Sequence, residues 1–81
     1  MDAESSDKRS IDGLVARYAN YFEIGHNAAE FLLDFGQAYS TAGEDKIHTR
    51  LITSPAYAKR FLRLLDKSVE RYERVYGAIS E

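Results

Sequence analysis

Between Phe22 and Gly36 the chain brings together Glu23, His26, Glu30 and Asp34, and a second imidazole follows at His48. Carboxylates and imidazoles are ligands for zinc, iron or manganese, and either group can carry a proton in acid–base catalysis. What they could do depends on the backbone beneath them. Glu23 and His26 are three apart, a spacing that aligns side chains on a helix and sends them to opposite faces of a strand. The flanking residues are strand-like, so the spacing predicts solvated carboxylates and an exposed turn histidine, with no metal site and no catalytic residue. No serine stands in a nucleophile-elbow pattern, and neither GxGxxG nor GxxxxGK[ST] occurs, so no cofactor is expected. The reading is of a protein that is not an enzyme. His48 and Arg50 are the pair to consider first should a pocket lie beside them.

The elements that position these groups follow from hydrophobic period. Tyr18, Asn20, Phe22 and Ile24 occupy alternate positions, as do Phe31, Leu33 and Phe35, and period two marks half-buried strands. Gly25 to Ala29 lies between them, and Gly and Asn tolerate a left-handed backbone, so this break predicts a hairpin turn. That turn would pair Ile24 with Phe31 and Phe22 with Leu33. Gly36 to Asp45 has turn chemistry and reads as a loop. KIHTRLITS, from Lys46, is a third extended run, with Ile47, Thr49, Leu51 and Thr53 on one side and His48, Arg50 and Ile52 on the other. Ser54-Pro55 then opens a helix as cap and first residue, and Gly77 is its stop after Tyr76. Within that helix Tyr57, Phe61, Leu64, Leu65, Ser68, Tyr72 and Val75 recur at helical spacing, widened by Leu62, Val69 and Tyr76.

The expected fold is α+β: a three-stranded antiparallel sheet followed by one long C-terminal helix packed on one face, in the order β-β-β-α. Residues 1–12 are polar or charged without a period and read as a disordered tail, leaving 13–81 as a single domain. A chain of 81 residues without cysteine has neither disulfides nor a thiolate metal site to reinforce a small core, and self-association is the remaining remedy. One helix covers one side of a sheet. The other side, carrying Ala19, Tyr21, Leu32 and Ile52 among the carboxylates Glu23, Glu30 and Asp34, is then a candidate subunit interface. A homo-oligomer is expected, most simply a dimer, with an unidentified protein as a further possible partner. No apolar run is long enough to span a bilayer and the N-terminus lacks a signal-peptide core, so a cytoplasmic protein without membrane contact is expected.

Charge is unevenly spread. Residues 1–46 hold nine acidic and four basic side chains, a balance of −5, whereas residues 56–76 hold six basic and three acidic ones, a balance of +3. Arg60, Arg63, Lys67, Arg71 and Arg74 fall on one helical flank, beside an acidic flank of Asp66, Glu70 and Glu73. The basic stripe could follow a nucleic-acid backbone, or it could simply be a solvated face whose Arg63–Asp66, Lys67–Glu70 and Glu70–Arg74 pairs add a few tenths of a kcal/mol each.

The stretches YANYFEIGHNAAEFLLDFG and HTRLITSPAYAKRFLRLLDKSVERYERVYG resemble the small prokaryotic family known as domain of unknown function 3467. The likeness rests on Asn20-Tyr21-Phe22, Glu30-Phe31, Leu33-Asp34-Phe35, Thr49-Arg50, Ser54-Pro55, Ala58-Lys59, Leu62, Leu65, Tyr72-Glu73 and Tyr76-Gly77, across residues 18–77. It implies a self-standing domain and carries no catalytic residue. Strands followed by a long helix are also similar in architecture to the export chaperone SecB, which suggests a rival role as a small holdase with an apolar groove for unfolded segments.

Overall fold

The computed structural model describes residues 13–38 and 46–81. It holds β1 (Tyr21–His26), β2 (Phe31–Gln37), β3 (Lys46–Thr53) and α1 (Pro55–Tyr76). The strands form one antiparallel sheet in the order β1-β2-β3, so the expected β-β-β-α architecture is the one present. The tail expected over residues 1–12 and most of the loop expected over 36–45 lie outside the described residues.

The first hairpin is two residues out of the expected register. Ile24 pairs with Leu33 and Phe22 with Phe35, while His26 lies opposite Phe31. The reason is the turn. Gly25 belongs to β1, opposite Leu32, and the reversal falls on Asn27 to Glu30. There the Asn27 side-chain oxygen accepts from the backbone N–H of Ala29 and Glu30 at 2.8 and 2.9 Å, while the Asn27 N–H donates to the Glu30 carbonyl at 3.0 Å. An asparagine oxygen therefore supplies the acceptor that closes the turn. A slip of two leaves every side chain on its expected face, whereas a slip of one would have inverted the sheet.

β2 continues through Gly36 and Gln37, which the sequence reading gave to the loop. Gly36 is buried where β3 bulges: Phe35 faces Thr49 and Gly36 faces Ile47, leaving His48 as the extra residue. The bulge puts Ile47 opposite Gly36, on the face away from Thr49, Leu51 and Thr53. β1 begins later than expected, at Tyr21. Asn20 instead locks the end of β2, its N–H donating to the Gly36 carbonyl at 3.0 Å and its side-chain oxygen accepting from the Ala38 N–H at 2.8 Å.

Ser54 caps α1 as its sequence position implies, its hydroxyl oxygen accepting from the Tyr57 N–H at 3.1 Å with Pro55 following. At the other end Gly77 has φ 97°, a conformation side-chain-bearing residues rarely adopt, and its N–H donates to the Glu73 carbonyl at 2.9 Å. A single residue separates β3 from the helix. The first turns of α1 are thereby held over the sheet face of Ile24, Phe31 and Leu33, yet no helix residue is buried.

Candidate functional site

The two sheet faces differ in how they are finished. The face away from the helix carries Tyr21, Glu23, Leu32, Asp34, Arg50 and Ile52. Glu23, Asp34 and Arg50 lie in line across the three strands, because the register pairs Glu23 with Asp34 and Asp34 with Arg50. Arg50 closes a two-pronged ion pair, its Nε and a terminal nitrogen each donating to one Asp34 oxygen at 2.8 Å. Asp34 is only 5 % exposed. A carboxylate so placed needs such a partner, since burying a charge without one is costly. The Arg50 hydrogen bonds, with its positive charge adding to them, hold the Asp34 carboxyl below the ordinary carboxylate range against the opposing effect of burial. The same bonds hold the Arg50 guanidinium charged. Beside this pair the Tyr21 hydroxyl donates to Glu23.

The residues expected at a subunit contact separate. Tyr21 and Leu32 are half-buried and Ile52 is exposed on this face, around the ion pair. Ala19 is not with them. Alternation does not reach back past Tyr21, and Ala19 lines a hollow with Phe35, Thr49 and Leu51, on the helix side. The side chains weighed as metal ligands are also dispersed: Glu23 and Asp34 share the polar face, while His26 stacks on Phe31 with ring centroids 5.3 Å apart. His48 sits at the bulge, its Nε2 donating to the Tyr18 carbonyl at 2.9 Å and its Nδ1 2.8 Å from the Thr49 hydroxyl. Among the described residues no three histidines or acids gather into a metal-binding group. His48 and Arg50 are thus each engaged with separate partners.

The helix side is where apolar surface lies open. Phe22 and Phe35 meet edge to face at 5.8 Å, and Ile24, Leu33 and Leu51 continue the surface. Between this face and α1 runs a trough of about 520 Å³, walled by Ile24, Phe31 and Leu33 below and by Ala58, Leu62 and Leu65 above. A second hollow of about 410 Å³ lies across Phe61, toward Tyr57 and Leu51. Among the described residues no apolar side chain is buried: Ile24 is 68 % exposed, Leu62 63 % and Tyr76 73 %. The sequence pattern identified the apolar stripe but carried no signal that its own sheet would leave it uncovered.

Arg60, Arg63, Lys67, Arg71 and Arg74 all lie in α1, so their spacing places them on one flank, roughly opposite the line of Leu62, Leu65 and Val69. Among the described residues the ion pair formed is Asp34–Arg50, and the helical pairs expected of Arg63, Lys67 and Arg74 are not closed. Arg60 lies over the Tyr57 ring at 5.7 Å. No helix among the described residues is long and apolar enough to cross a membrane.

The sequence model of one family, described as a protein of unknown function (DUF3467), matches residues 3–81. No curated protein and no solved structure matches the chain.

Proposed function

We propose that this chain, which belongs to the DUF3467 family of proteins of unknown function, is a non-enzymatic cytoplasmic self-association module whose folded unit is a homo-oligomer. The observation that carries this reading is the uncovered apolar surface: no apolar side chain among the described residues is buried within the subunit. Ordering a chain costs about 1–2 kcal/mol per residue in backbone entropy alone, and buried apolar area is the main term that offsets it. A sheet and helix that bury none of their large side chains need cover from outside. The face away from the helix contributes less to this, because the Asp34–Arg50 pair interrupts Tyr21, Leu32 and Ile52. Sedimentation equilibrium at tens of micromolar tests the reading: a mass at a multiple of the 9.2 kDa chain supports it, and a well-folded 9.2 kDa species overturns it.

A second reading has its own support in the basic flank of α1, whose Arg63, Lys67 and Arg74 are not paired with the helix's acids. An accessory protein that follows a nucleic-acid backbone would use those cations. Its binding would then weaken steeply with salt. A mobility-shift assay at low salt decides it, since absence of a shift with DNA and RNA removes this reading.

A further inference from the structure

Among the described residues two apolar surfaces lack a partner, and they differ in shape. One is concave, the trough between Ile24, Phe31 and Leu33 on the sheet and Ala58, Leu62 and Leu65 on the helix. The other is the second half of the helix. Ala58, Leu62, Leu65, Val69, Tyr72 and Tyr76 follow one another at steps of four, three, four, three and four, an uninterrupted seam of the kind helices pair through. Its first three members wall the trough, whereas Val69, Tyr72 and Tyr76 lie beyond the residues that line it. Tyr72 and Tyr76 lie ring against ring at 4.8 Å and remain 51 % and 73 % exposed. The α1 helix of 22 residues is about 33 Å long, longer than the roughly 20–26 Å of any strand beneath it. At 1.5 Å per residue, about its last five residues, Tyr72 to Tyr76, therefore exceed the length of the longest strand.

We infer that the occupant of the trough is the second half of α1 from another copy of this chain, seated reciprocally in an antiparallel helix pair about a two-fold axis near Val69. This deepens, and rests on, the self-association proposed above. Antiparallel pairing is what the geometry requires. With helices parallel, the two second halves would meet each other and both troughs would stay open, whereas reversal lays each second half beside the partner's Leu62 and Leu65, above the partner's Ile24 and Leu33. A two-fold axis makes both exchanges identical, as isologous dimers demand.

Two further observations agree. Ten large apolar side chains between Tyr57 and Ile79 are 37–73 % exposed, which amounts to on the order of 1,000 Å² in each subunit, the scale an obligate homodimer buries. Residues 1–12 and 39–45 have little cover to offer, with only Met1, Ile11 and Tyr39 as large apolar side chains.

The test uses the absence of native cysteine. Ile24→Cys and Tyr76→Cys are made in separate full-length chains, refolded together and oxidised, and the products are identified by mass. The mixed disulfide should exceed several-fold that formed by Ile24→Cys with Arg63→Cys, which lies on the outer flank. Should the cysteine variants fold poorly, the wild-type protein serves, as a half-labelled sample in which isotope-filtered spectra report contacts between subunits. Contacts from Ile24 and Leu33 methyls to the Tyr72 or Tyr76 ring of the other copy support the inference. An oligomer whose contacts between subunits fall instead at Tyr21, Leu32 and Ile52, or at strand edges, overturns the exchange while leaving self-association standing. A monomer overturns both.

Discussion

Replacing Gly36 with alanine examines the tightest point of the sheet. A Cβ built at Gly36 falls 2.7 Å from the Lys46 carbonyl carbon and 2.9 Å from the Ile47 Cα, and nearer still to the Lys46 oxygen. All three atoms are backbone, so no side chain can swing aside. Restoring ordinary contact at about 3.4 Å parts β2 from β3 by roughly 1 Å, enough to stretch ladder hydrogen bonds of about 2.9 Å beyond useful length. Losing two such bonds costs about 1 kcal/mol each, and the residual overpacking adds about 1–3 kcal/mol. Against this, alanine gains about 0.4–1 kcal/mol from a less flexible unfolded chain. The expected net loss is about 3 kcal/mol, a large share of the stability of a small domain. Gly25→Ala is the matched control, since nothing lies within 4 Å of its added Cβ and only the unfolded-chain gain remains. Urea unfolding followed by far-ultraviolet dichroism, at one fixed protein concentration for all variants, measures both. A Gly36→Ala protein as stable as Gly25→Ala would refute the close approach of β2 and β3 at the bulge.

Acid should act through Asp34. Its carboxyl pKa is depressed in the folded protein, so its contribution is fully present above the unfolded value of about 4 and is lost as pH falls through the folded value. Unfolding midpoints should therefore decline below about pH 4, with a shallower decline in Asp34→Asn than in the wild type. Ser54→Ala removes the acceptor for the Tyr57 N–H and should cost about 1 kcal/mol in the same urea assay. Asn27→Ala leaves the Ala29 and Glu30 N–H groups to water and should cost about 1 kcal/mol, with faster amide exchange confined to the turn.

The strands and helix were legible because period two and period 3.6 are separate signals, and Ser54-Pro55 and Gly77 carry their own backbone chemistry. The hairpin register was less so. Gly25 and Asn27 both permit a reversal, and sequence alone does not say that the asparagine oxygen closes it. Gly36 resembled the start of a loop, although a glycine beside a strand also marks close backbone approach or a bulge, which is its use here. Ala19 was misplaced because alternation was carried back over Asn20, whose side chain ends the strand by bonding Ala38. Asp34 and Arg50 could have been matched only with the second register in hand, since 16 residues separate them. The wide apolar sector of α1 was readable as a stripe, yet a stripe does not say whether its own sheet or another copy covers it.

Coupling of folding to concentration tests the central claim most directly. Urea unfolding of the wild-type chain, repeated over a hundredfold range of protein concentration, should show a midpoint that rises steadily with concentration, because association and folding are one equilibrium. A midpoint that stays constant across that range would mean the lone subunit is stable with its trough open, and would contradict the account.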